Sequence, residues 1–203
     1  MKLKICGMKF YDNILQTAGL LPDYLGLIFY EKSSRYFDGI LPELPKSIQK
    51  TGVFVDENYT NIVRKIDQYH LQCVQLHGNE SPELCQKLQD HALVIKVFPV
   101  GNPFDFNTLI PYEKSCDFYL FDTKGPLKGG NGVSFDWSVL DQNPFEKPFF
   151  LSGGISINDL EKIKKLAFPT LYGVDINSRF EEEPGLKNIE LLREFKLKLH
   201  RKL

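Results

Sequence analysis

The sequence lacks a charge surplus of either sign: 25 Lys and Arg stand against 26 Asp and Glu in 203 residues. No bulk field therefore advertises nucleic acid or an anionic membrane as a partner, and any anionic ligand must be held by a local site. Also missing is a stretch near the ~18 uninterrupted apolar residues of a membrane span. The chain after Met1 reaches Lys4 and Cys6 without the long apolar core of a secretory signal. These absences predict a soluble, cytoplasmic protein. Cysteine is scarce: Cys6, Cys73, Cys85 and Cys116 contain no Cys-x-x-Cys pair and are too few for a disulfide scaffold, so they read as free thiols. No linker-like segment divides the chain, and α/β barrels of about 200 to 250 residues are ordinary single units. One catalytic domain, 1–203, is expected.

What the chain does contain is alternation. Short apolar runs recur at 3–6, 24–30, 52–55, 73–76, 93–97, 118–121, 149–151 and 171–176. Each is apolar on both faces, as suits a parallel strand covered by helices. Helical start signals lie between them. Ser81-Pro82-Glu83 supplies an N-cap, a first-turn proline and an early acid, Asp56 to Asn58 leads into Ile62 and Ile66, Ser156 opens 160–166, and Asn188 opens a C-terminal helix. The pattern reads as strand then helix, eight times over. A closed (β/α)₈ TIM barrel, of the α/β class, satisfies that count without an edge strand; a doubly wound open sheet is the alternative.

Chemistry-bearing residues collect where these strands end, the edge at which α/β enzymes present their sites. Lys4-Ile5-Cys6-Gly7 closes the first run on a lone thiol, whereas Cys73, Cys85 and Cys116 sit at no strand exit. A thiolate whose pKa is lowered toward neutrality can serve as a general base, and no adjacent His marks Cys6 as a covalent nucleophile. Asp122 ends the apolar run Phe118-Tyr119-Leu120-Phe121, where desolvation would let a carboxyl hold its proton as a general acid. In a ring of eight, the first and sixth strands are three steps apart, so Cys6 and Asp122 can flank one substrate. Gly153 and Gly154 end the seventh run and Asn177 and Ser178 follow the eighth, the usual place of a phosphate cup built from backbone N–H groups; a tight turn alone would also explain the two glycines. Gly129, Gly130 and Gly132 in the stretch 124–134 suit either a mobile lid or a solvated loop. His77 has no second ligand at metal-binding spacing, which favours a pocket residue over a metal site.

Taken in order, these residues resemble the phosphoribosylanthranilate isomerase family of tryptophan biosynthesis. The likeness runs through Lys4 to Gly7, Gly26 to Phe29 with Ser33 to Tyr36, Gly52 to Val55, Val74 to Gly78, Phe121-Asp122, Gly129 to Gly132, Leu151 to Ile155 and Val174 to Ser178. The resemblance implies a cofactor-free and metal-free barrel, monomeric or homodimeric, acting on a phosphorylated small molecule by an Amadori rearrangement. It further implies Asp122 as acid, Cys6 as base, Arg35 paired with the anthranilate carboxylate, Asp175 near the anthranilate amine and His77 lining the pocket. Rival readings are a neighbouring phosphate-binding barrel, such as indole-glycerol-phosphate synthase or a histidine-pathway sugar isomerase, and a non-catalytic phosphate-binding barrel. The first rival needs a lysine and glutamate ensemble that the strand ends do not offer. The second needs paired aspartates and a repeated half-barrel, and residues 1–100 do not echo 101–203. A pure binder needs neither Cys6 nor Asp122.

Overall fold

A computed structural model describes residues 1–123 and 135–201; the stretch 124–134, with Gly129, Gly130 and Gly132, lies outside the described residues. Eight parallel strands close into a barrel in sequence order: β1 (Lys2–Ile5), β2 (Tyr24–Ile28), β3 (Gln49–Phe54), β4 (Cys73–Leu76), β5 (Leu93–Val100), β6 (Phe118–Thr123), β7 (Phe149–Leu151) and β8 (Leu171–Ile176). Pairing of β1 with β8, Lys4 opposite Asp175, shuts the ring and removes the open-sheet alternative. The apolar runs have no polar face because each strand is covered twice. Tyr24, Cys73, Ile95, Val97, Leu120 and Phe150 fill the inside, while Leu3, Leu25, Val74, Phe121 and Val174 belong to the outer core beneath the helices.

The expected caps operate. The helices are α1 (Tyr11–Gly19), α2 (Tyr59–Tyr69), α3 (Pro82–Leu88), α4 (Leu160–Lys164) and α5 (Ile189–His200). The side chains of Asn58, Ser81 and Asn188 accept the N–H of Asn61, Leu84 and Leu191, each such cap being worth about 1 kcal/mol. Before α4, Ser156 and Asp159 form a capping box over a single 3₁₀ turn.

The expectation of a helix after every strand is corrected in the crossovers from β2 and β5. Residues 29–48 carry turns and no helix, because Pro42 and Pro45 remove donors and fix φ across a short segment. The barrel wall there is covered instead by an aromatic cluster, with Phe37 set against Phe29 and Tyr69 at 6.2 and 5.5 Å between ring centroids. The crossover from β5 holds only a 3₁₀ turn, at Phe106–Tyr112, interrupted by Pro111, and among the described residues of the β6 crossover there is a 3₁₀ turn at Trp137–Gln142. A short antiparallel hairpin of β9 (Glu181–Glu183) and β10 (Leu186–Lys187) follows β8; no local sequence signal had marked it.

Candidate active site

The carboxyl ends of the strands surround one cleft. Cys6, Arg35, His77, Asp122, Gly153, Gly154, Asp175, Asn177 and Ser178 all line it, as does Gln75, which sequence reasoning had passed over.

Cys6 stands one residue beyond β1, its N–H donating to the Ile176 carbonyl at 2.9 Å. Only a glycine fits beside it on β2: a Cβ on Gly26 would lie 2.7 Å from the Cys6 sulfur. The thiol is buried, and burial pushes its pKa up, against the pull of Lys4 and then Lys187 in the opposite direction. This corrects the expectation of a thiol lowered toward neutrality, since removing the thiolate from water outweighs the attraction of the nearby ammonium groups.

Lys4 is a part of the site that was not anticipated. It lies two residues before Cys6, so the strand's period of two turns both side chains into the barrel. Its Nζ meets Asp175 Oδ1 at 2.8 Å, with neither side chain more than 6% exposed. Burial opposes the Lys4 charge, yet Asp175 and Cys6 together hold its pKa above the usual range. Removing one member of such a pair commonly costs about 3–5 kcal/mol, so Asp175 is anchored in place as well as set at the cleft. The parity of Lys4 with Cys6 was a signal that could have revealed it.

Asp122 closes β6 from the far side. Its Oδ1 accepts the Thr123 N–H at 2.8 Å, and its Oδ2 lies 3.3 Å from His77 Nε2. The Gln75 amide nitrogen meets His77 Nδ1 at 3.2 Å. With that nitrogen donating, Nδ1 is the acceptor and the ring proton sits on Nε2, aimed at Asp122. His77 is therefore a hydrogen-bonding wall residue, and among the described residues no group of three His, Cys, Asp or Glu side chains is arranged to hold a metal.

Arg35 reaches the cleft from the turn after β2. The Ser33 hydroxyl accepts its backbone N–H at 3.1 Å, and the guanidinium clasps Glu181, Nε lying 3.0 Å from both carboxylate oxygens and Nη2 2.7 Å from Oε2. Gly7 makes this approach possible. At φ +78° its missing Cβ would stand 2.6 Å from Asn177 Oδ1 and 2.8 Å from Arg35 Cδ.

Also on the rim, Gly153 and Gly154 have φ of +92° and +65°, conformations that L side chains adopt with strain. A Cβ at Gly153 would also come within 2.2 Å of Thr123 Oγ1, next to Asp122. Among the described residues the N–H groups of Gly153, Gly154 and Ser178 donate to no protein acceptor. Such a set of backbone donors beside glycine is suited to an anion of phosphate size.

The cleft thus offers a thiol and a carboxyl facing inward from β1 and β6, with a guanidinium and a set of backbone donors on its rim. The family model for N-(5'-phosphoribosyl)anthranilate isomerase matches residues 3–197. The N-(5'-phosphoribosyl)anthranilate isomerase of Parabacteroides distasonis is 42% identical over 96% of this chain and 91% of its own, and that of Phocaeicola vulgatus is 37% identical over the whole of both. Among solved structures, the phosphoribosyl anthranilate isomerase of Thermotoga maritima superposes with a TM-score of 0.84 at 31% identity, over 98% of each chain. Another, solved in complex with reduced 1-(o-carboxyphenylamino)-1-deoxyribulose 5-phosphate, gives 0.81 at 30% identity over the same shares. A full-length match to both sequence and fold, at identities of 30% and above, means that this chain belongs to the N-(5'-phosphoribosyl)anthranilate isomerase family.

Proposed function

We propose that this barrel isomerises N-(5-phosphoribosyl)anthranilate to 1-(2-carboxyphenylamino)-1-deoxyribulose 5-phosphate, an Amadori rearrangement in tryptophan biosynthesis, by general acid and base catalysis. One observation carries the reading: Cys6 and Asp122 enter the same cleft from strands three steps apart, with a guanidinium and a glycine turn on its rim. Asp122 gives a proton to the furanose ring oxygen as its bond to C1′ breaks, leaving an open-chain protonated Schiff base. Cys6 then takes the C2′ proton, and that electron pair moves to form the C1′–C2′ double bond of an enolamine. Proton return at C1′ and loss from the C2′ hydroxyl give the ketone. Two protons enter, at the ring oxygen and at C1′, and two leave, from C2′ and from its hydroxyl, so the reaction is balanced without a redox partner.

In this reading the chain, 1–203, works as one catalytic barrel in the cytoplasm, as a monomer or homodimer, and without metal or organic cofactor. No helix among the described residues is long and apolar enough to cross a membrane. The anthranilate carboxylate faces Arg35, the amine lies near Asp175, and phosphate occupies the backbone donors of Gly153, Gly154, Asn177 and Ser178. Incubating pure protein with freshly made phosphoribosylanthranilate should make the substrate's fluorescence decay at a rate proportional to protein added. A decay no faster than the buffer blank would refute the proposal.

Two substitutions test the anchors. Gly154→Ala, at φ +65°, is expected to raise KM about ten-fold, ~1.4 kcal/mol if KM reports binding; an unchanged KM removes phosphate from this turn. Arg35→Ala should lower kcat/KM about thirty-fold or more, since truncating one partner of a buried, hydrogen-bonded charge pair costs about 2 kcal/mol upward. Arg35→Lys should fall between, because an ammonium cannot offer two edges at once. Equal activity in all three proteins places Arg35 outside the substrate's reach.

A further inference from the structure

A guanidinium has two edges that can meet a carboxylate in bidentate fashion: the side edge of Nε with one Nη, and the end edge of both Nη groups. In Arg35 the side edge is already filled. Glu181 takes Nε at 3.0 Å and Nη2 at 2.7 Å, and among the described residues Nη1 makes no hydrogen bond. Glu181 is itself held from three sides. Lys187 Nζ donates to Oε1 at 2.7 Å, the Gly185 N–H to the same oxygen at 3.1 Å, and the Glu181 side chain is only 4% exposed.

Lys187 in turn is completely buried and donates also to Asn177 Oδ1 at 2.7 Å. Its backbone is clamped by the Asn13 side chain of α1, which accepts its N–H at 2.8 Å and donates to its carbonyl at 2.9 Å. The β9–β10 hairpin is therefore fastened to α1, and the carboxylate at its start has little freedom. Two basic side chains share the one Glu181 carboxylate, so Glu181 is not reserved to Arg35 alone. Burial lowers the Lys187 pKa, against the opposing pull of Glu181.

We propose that Glu181, backed by Lys187, is a positioning residue. It occupies the side edge of Arg35 and so presents the Nη1/Nη2 edge to the cleft as a preformed receptor for the aryl carboxylate of the substrate. A free arginine side chain loses much rotamer freedom on binding, and the clasp removes that cost before the substrate arrives. Selectivity for substrates with the carboxylate ortho to the amine then depends on Glu181 and Lys187, which never touch the substrate, as well as on Arg35, which does. The inference rests on the substrate assignment made above.

Glu181→Gln keeps the side-chain shape and removes the charge. The measurement compares kcat and KM for phosphoribosylanthranilate and for N-phosphoribosylaniline, which lacks the carboxylate, in wild type, Glu181→Gln, Arg35→Ala and the double variant. For the carboxylated substrate, Glu181→Gln should raise KM about ten-fold with kcat within about three-fold. For the aniline it should change neither by more than about two-fold, and on the Arg35→Ala background it should add less than two-fold. Glu181→Asp, which withdraws the carboxylate by one methylene, should fall between glutamine and wild type. Equal losses on both substrates in either variant, full additivity with Arg35→Ala, or wild-type kinetics in Glu181→Gln would each overturn the proposal. A wild-type protein that turns over neither substrate instead defeats the functional assignment, and this inference with it.

Discussion

Cys6→Ser is expected to lower kcat by about 10² to 10⁴, the usual worth of a positioned base, equivalent to about 2.7 to 5.5 kcal/mol of barrier. A serine hydroxyl fits the space that Gly26 leaves for the sulfur, so the variant should fold and still bind product through anchors located elsewhere. Cys73→Ser is the matched control. Cys73 is buried inside the barrel at the start of β4, away from the cleft, and its replacement should leave kcat within a few-fold. The pH profile adds a second readout. Burial pushes Cys6 up, so the limb of the kcat/KM profile that the thiol sets should lie above the ordinary thiol range near about 8.5 and should vanish in Cys6→Ser. Near-wild-type kcat in Cys6→Ser would reduce the thiol to packing and end the mechanism, whatever became of the substrate assignment.

Asp122→Asn should produce a loss of the same order, about 10² to 10⁴ in kcat, because an amide cannot protonate the furanose oxygen. The single amide oxygen can keep the Thr123 N–H that Asp122 Oδ1 accepts at 2.8 Å, while the NH2 replaces Oδ2 3.3 Å from His77 Nε2 and calls for the other imidazole tautomer there, so the fold should survive with the Gln75–His77 hydrogen bond reversed. Product affinity, measured by fluorescence titration, should stay within a few-fold of wild type. If turnover in Asp122→Asn matched wild type, the proton would have to come from another group, and Asp122 would be a wall residue. A loss of product binding as large as the loss of kcat would count against an acid as well, since it would locate the defect in the ground state.

Much of this was legible because its causes are local. Strand positions follow from short apolar runs, and the starts of α2, α3 and α5 follow from Asn58, Ser81 and Asn188, whose side chains need only a backbone N–H three residues away. Cys6 and Asp122 could be singled out because each closes a run. The crossovers from β2 and β5 carry no α-helix for the complementary reason: what covers those strands is an aromatic cluster or a 3₁₀ turn, assembled by packing.

By itself the sequence determined the order of strands, the helix caps and which reactive side chains stand at strand exits, all set by period, propensity and neighbours within a few residues. Tertiary structure alone decided the partners of those side chains. Lys4 meets Asp175 across 171 residues of chain and Arg35 meets Glu181 across 146. Barrel closure sets β1 against β8, and a hairpin fastened to α1 carries Glu181 to Arg35. It also decided the direction of the Cys6 pKa, because that direction is the difference between desolvation and the pull of two ammonium groups, and neither quantity exists until the barrel has closed around the thiol.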